Sequence, residues 1–94
     1  MIVRVAKFDS GRGDLGLDRS EWVIEAVRSV PGVHALYHCL AEDGSAVSIT
    51  VFEDPEAAEV AMQRIEAARA EQGLAASPAD EAIEYEVVGS LERP

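Results

Sequence analysis

The stretch from Pro31 to Asp54, PGVHALYHCLAEDGSAVSITVFED, decides the fold. Two runs of period-two alternation, Val33 to Leu40 and Ala46 to Phe52, flank Ala41-Glu42-Asp43-Gly44-Ser45, whose acidic residues and glycine favour a reversal of the chain. The pattern predicts a β-hairpin. A lone hairpin is marginal in water, so the flanking segments have to supply further strands and a cover for its apolar face.

On the N-terminal side, Ile2 to Phe8 alternates, with Val3 and Val5 on one side and Arg4, Ala6 and Phe8 on the other, which predicts a strand. Asp9 to Leu17 is too rich in glycine for regular structure. Asp18 offers a helix N-cap with Glu21 at the capping-box spacing, and Trp22, Val23, Ala26, Val27 and Val30 recur at helical intervals until Pro31-Gly32. Trp22 reads as an anchor between helix and sheet.

On the C-terminal side, Asp54-Pro55-Glu56 is a helix start: a capping acid, proline at the first helical position and a carboxylate at the positive end of the dipole. The helix runs to Gln72 with a thin apolar stripe of Ala57, Ala58, Ala61, Ile65 and Ala68; Glu59, Arg64, Glu66, Arg69 and Glu71 fall on the solvated side. Gly73 suits a C-terminal cap, Leu74 to Asp80 reads as a linker, and Ala82 to Gly89 alternates again as a last strand.

The order β-α-β-β-α-β is the split βαβ pattern of a ferredoxin-like α+β sandwich, an antiparallel four-stranded sheet of order 4-1-3-2 with two helices on one face. Val3, Val5, Val47, Ile49 and Val51, aliphatic and branched, are the expected helix-facing set. The opposite parity holds Arg4, Ala6, Phe8, Ser48, Thr50 and Phe52, and no remaining segment covers it. A second copy is expected there, giving a homodimer through the open sheet face with a barrel-like cavity between the two sheets.

The 94 residues make one domain, 1–94, which buries roughly two thirds of its unfolded surface. The net charge of -10, from 18 acidic against 8 basic residues, repels phosphate backbones and anionic headgroups, so neither nucleic acid nor membrane is an expected partner. No run approaches the ~20 apolar residues of a membrane span, and Met1 to Ala6 lacks the apolar core of a signal peptide. A single cysteine, Cys39, has no internal disulfide partner; a cytoplasmic setting is expected.

The first strand, Val30-Pro31-Gly32-Val33 and above all Val47-Ser48-Ile49-Thr50-Val51-Phe52-Glu53-Asp54-Pro55-Glu56-Ala57-Ala58 resemble the dimeric α+β barrel superfamily, and within it the antibiotic-biosynthesis-monooxygenase-like domains. The resemblance covers nearly the whole chain. It implies a homodimer with a ligand cavity between sheet and helices. Members range from cofactor-independent monooxygenases acting on polyketide-like aromatics, through haem-degrading enzymes, to proteins of no assigned activity. The family pattern has asparagine on the first strand, tryptophan at the end of the third and, in haem degraders, histidine on the second helix. Here Arg4 and Phe52 stand at the first two positions and the second helix has no histidine, which argues against haem degradation.

His34 and His38 share a parity with Leu36 and Leu40, opposite Val33, Ala35, Tyr37 and Cys39. Facing a cavity near Ser48 and Thr50, a neutral imidazole is a candidate base for a phenolic or enolic substrate whose carbanion reacts with oxygen. The competing reading is a solvated pair on an edge strand. Four strand residues span about 13 Å, too far for both histidines on one metal, and no metal or cofactor is expected. Arg4 is a candidate clamp for an anionic substrate or an ion-pair partner of Glu84 or Glu86, and Phe8 and Phe52 are candidate apolar walls. Gly11-Arg12-Gly13-Asp14-Leu15-Gly16 matches GxGxxG, yet Asp14 sits where a pyrophosphate belongs and no second half-domain follows, so it reads as a loop over the cavity mouth. Two functions stay open: a small-molecule-binding domain resembling cofactor-free monooxygenases on aromatic or polyketide-type substrates, and a non-catalytic ligand-binding or structural dimeric domain.

Overall fold

A computed structural model of the protein describes residues 1–9, 17–73 and 79–93, with 17–20 as backbone only. The elements are β1 (Ile2–Phe8), α1 (Leu17–Val27), β2 (Val33–Leu40), β3 (Ala46–Phe52), α2 (Pro55–Glu71) and β4 (Glu81–Glu86). All pairings in the sheet are antiparallel and its order is β2-β3-β1-β4, the ferredoxin-like arrangement that the periodicity predicts. Asp18, read as a cap, lies one residue inside α1, and β4 ends at Glu86, short of Gly89. The glycine-rich motif Gly11 to Gly16 and most of the linker after Gly73 lie outside the described residues.

Local chemistry fixes the joints. In the hairpin turn, the Ala41 amide donates to the Ser45 carbonyl at 2.8 Å, and the Ser45 hydroxyl and amide both donate to Asp43 Oδ1, at 2.6 and 2.9 Å. The hydroxyl first, then the amide, hold the Asp43 carboxyl below its usual pKa. At the start of α2, Asp54 is extended and its Oδ1 accepts from the Ala57 amide at 2.8 Å, with Pro55 following. Asp54→Ala leaves that donor without a side-chain acceptor and is expected to cost about 1 kcal/mol, read as a lower urea midpoint at unchanged m-value.

The faces of the sheet are the reverse of the sequence expectation. Phe52, at 1% exposure the largest fully buried side chain, packs with Val27, Val30, Ala57, Ala58 and Ala61 beneath the helices. Val33, Leu36, Val60 and Ile65 flank this cluster. Complementarity of size explains the choice, because α2 presents alanines to the sheet and the sheet has to answer with bulk, which Phe52 supplies and a valine does not. The expected helix-facing set instead lines the open face. Strand registers arrange it in rows: Ala35, Val51, Val3 and Tyr85; then Tyr37, Ile49, Val5 and Ile83; then Cys39, Val47, Lys7 and Glu81. Tyr37 and Tyr85 remain 58% and 52% exposed, and in the last row Lys7 Nζ lies 3.8 Å from Glu81 Oε2.

Within β2 the alternation breaks. Val33 pairs with Phe52 but Ala35 with Val51, so the strand carries an extra residue, His34, in a β-bulge. The bulge lets Val33 and Leu36 both pack on the core while Ala35, Tyr37 and Cys39 go to the open face.

Candidate functional site

Strands and helices leave a cavity of about 70 Å³ between them. The sheet contributes Arg4, Ala6 and Phe8 from β1, Leu36 and His38 from β2, and Ser48, Thr50 and Phe52 from β3. Val23 and Val27 of α1 and Ala61, Met62, Ile65 and Arg69 of α2 close the other side. The site is thus a half-polar strand surface facing a helix layer that is apolar except for Arg69. It lies inside one chain, between sheet and helices, as the family resemblance implies, and not between two sheets.

Six of the seven candidate residues meet here: Arg4, Phe8, His38, Ser48, Thr50 and Phe52. His34 does not. The bulge puts it out of step with His38, and it is exposed and outside the cavity lining. His38 is half-buried and lies across from Ser48 in the strand register. Phe52 is as much a core anchor as a wall, being part of the buried cluster and of the lining. Arg4 stands opposite Glu84 on the edge strand, but among the described residues no ion pair joins Arg4 to a carboxylate. Trp22 is half-buried on α1, Cys39 is exposed on the far side of the sheet, and among the described residues no cluster of three or more His, Cys, Asp or Glu could hold a metal.

One residue of the site falls on what the sequence marks as solvated helix surface. Arg69 is only 8% exposed and lines the cavity. Its Nη1 donates to Glu66 Oε1 one turn earlier, while its Nε is buried without a hydrogen-bond partner. The signal was present as spacing: Ala61, Ile65 and Arg69 recur every four residues, so an arginine occupies the apolar stripe.

No protein-family model matches the chain, and no curated protein matches it. Among solved structures, proteins described as antibiotic biosynthesis monooxygenases share this α+β fold. A Chloroflexus aurantiacus protein described as an antibiotic biosynthesis monooxygenase superposes with a TM-score of 0.70 at 20% identity, over 97% of this chain and 96% of that one. A MhuD variant with two manganese protoporphyrin IX molecules per active site gives 0.72 at 17% identity, over 99% and 100%. The Streptomyces coelicolor monooxygenase from the gene ActVA-Orf6, in complex with nanaomycin D, gives 0.58 at 19% identity, over 99% and 92%. At these identities the shared property is the fold.

Proposed function

We propose that the chain is a homodimeric small-molecule-binding domain whose pocket takes an aromatic or polyketide-type compound, in the manner of cofactor-free monooxygenases. The observation that carries this reading is the convergence of His38, Arg4, Arg69 and two strand hydroxyls on a cavity otherwise walled by apolar side chains. Nanaomycin D in a protein of the same fold supports the ligand class. Dimerisation through the open sheet face is supported by the rows of Val3, Val5, Ile49, Val51, Ile83, Tyr37 and Tyr85, which nothing in the described chain covers. Among the described residues no helix is long and apolar enough to cross a membrane, and a cytoplasmic setting fits the lone cysteine.

In the proposed chemistry His38 takes a proton from the activated CH2 of an anthrone-like substrate. The Arg4 guanidinium faces the resulting enolate oxygen. The carbanion reacts with dioxygen, one oxygen atom ends in the new C=O, the other leaves as water with the two hydrogens of the CH2, and His38 returns to its neutral form.

The test is oxygen uptake with dihydroquinones and anthrones. Uptake is expected to fall on the order of a hundredfold or more in His38→Ala and to persist in His34→Ala. Equal loss in both variants, or no uptake with any such compound, would exclude the catalytic reading. Sedimentation of the native chain and of Ile49→Glu, whose charge falls in the middle row of the open face, tests the assembly: a dimer mass reduced to a monomer is expected. A native monomer refutes it.

The size of the cavity favours a second reading. Its 70 Å³ falls well below the ~300–1,000 Å³ of ordinary ligand pockets. A non-catalytic dimeric domain, in which the cavity is a packing remnant, accounts for that value directly.

A further inference from the structure

Eighteen acidic residues against eight basic ones make this chain a poor host for anions in general, yet two of those eight cations, Arg4 and Arg69, line a single cavity. Neither position is solvent-facing in the ordinary way. Arg4 sits mid-strand on the covered side of the sheet and is half-buried, and Arg69 is 8% exposed beneath α2. A guanidinium presents five N–H donors, and burying it is unfavourable unless they are met. Glu66, largely exposed itself, meets only Nη1 of Arg69. The Nε donor is buried and unpartnered, and Arg4 forms no ion pair with a described carboxylate although Glu84 stands opposite it. Solvation alone does not explain an arginine here, because the neighbouring Arg64 on the same helix is exposed and reaches Ser29 on the outside.

We infer that Arg69 and Arg4 form the anion-binding end of the pocket, so that its ligand is a small anion: a carboxylate, or an ionised phenol or enol, on a compact apolar body. This rests on the pocket proposed above as the ligand site and adds the charge and size of what it takes. The apolar body lies against Phe8, Val23, Val27 and Ile65, the helix-side and strand-side walls. The oxyanion accepts from the Nε donor of Arg69, the group the chain itself leaves unmet, with Arg4 contributing the second charge. The fork of a guanidinium suits a two-oxygen acceptor, which a lysine at position 69 would not match. The cavity of about 70 Å³ is smaller than the roughly 150 Å³ that holds a single ring, so side chains have to move to admit even a one-ring body.

Calorimetric titration of the folded chain at low salt with benzoate, its neutral isostere benzamide, and 4-nitrophenolate tests this. Benzoate is expected to bind at least on the order of tenfold more tightly than benzamide. If 4-nitrophenolate binds as benzoate does, the site reads charge; if benzoate alone binds, it reads the two-oxygen fork. Arg69→Met is expected to erase the preference for benzoate, and Arg69→Lys to recover the charge but only part of the affinity. Benzamide binding as well as benzoate in the native chain, a comparison that needs no variant to fold, would overturn the inference. So would full benzoate affinity in a folded Arg69→Met, or no binding of either anion. Benzoate binding without any oxygen uptake would leave the anion site standing and remove the oxygenase; uptake with anthrones alongside equal binding of benzoate and benzamide would do the opposite.

Discussion

Replacing Phe52 with alanine is expected to remove about 3–5 kcal/mol of stability, the range for truncating a buried aromatic. A small chain has a total of only about 5–15 kcal/mol to lose. The ring is 1% exposed and sits where α1, α2 and β3 meet, touching the cluster of Val27, Val30, Ala57, Ala58 and Ala61. Three of those neighbours are alanines. They have no side-chain length with which to collapse into the space, so the cavity term is felt in full. Phe52→Leu keeps most of the volume and is expected to cost roughly 1–1.5 kcal/mol. Urea unfolding of the three proteins decides the matter. An alanine variant within 1 kcal/mol of the native chain would mean that Phe52 does not hold the helices to the sheet.

Gly32→Ala is expected to be nearly as damaging, for a different reason. Gly32 has φ of +86°, and a Cβ there would lie 2.8 Å from the Cβ of Ala57, on a buried turn of α2. Its carbonyl also accepts from the Glu53 amide at 2.7 Å, which ties the start of β2 to the end of β3 and leaves little room to shift. The left-handed conformation costs an L-residue about 1–2 kcal/mol and the clash about 1–3 kcal/mol. The stiffer unfolded chain returns about 0.4–1 kcal/mol. A net loss of about 1–4.6 kcal/mol, centred near 3, follows. Gly73→Ala is the control that separates the two terms, since Gly73 has φ of +70° and among the described residues nothing lies within 4 Å of a Cβ. It is expected to lose the conformational part alone. Equal losses at the two positions would show that the contact with Ala57 contributes nothing.

The sequence carried the element order in plain sight. Strong period-two runs in β1, β2 and β3, the Asp54-Pro55 start of α2 and the acidic turn at Asp43 and Gly44 each have a local cause, and a local cause can be read locally. Which side of the sheet meets the helices does not have one. Both parities are apolar enough to be covered, and the rule that branched aliphatics face helices failed because the alanine stripe of α2 calls for a bulky partner. The candidate residues came together nonetheless, since Arg4, Phe8, Ser48, Thr50 and Phe52 share one parity whichever face is inward. His34 was misplaced because its bulge has no glycine or proline to announce it; two residues facing Phe52 is a fact of pairing, not of composition. Arg69 was passed over because a charge on a helix is ordinarily solvated, and its burial depends on a sheet that comes from other parts of the chain.

From Arg4 to Phe8 and from Ser48 to Phe52, the even-numbered side chains belong to the cavity and the odd-numbered ones to the opposite surface. A pleated ribbon of this kind stores two independent messages in one run of letters. Selection acting on what the interior accepts can rewrite every second position and leave the intervening ones untouched. One backbone of this shape can therefore be retuned to new small molecules over evolutionary time while its outer valines and isoleucines stay as they are.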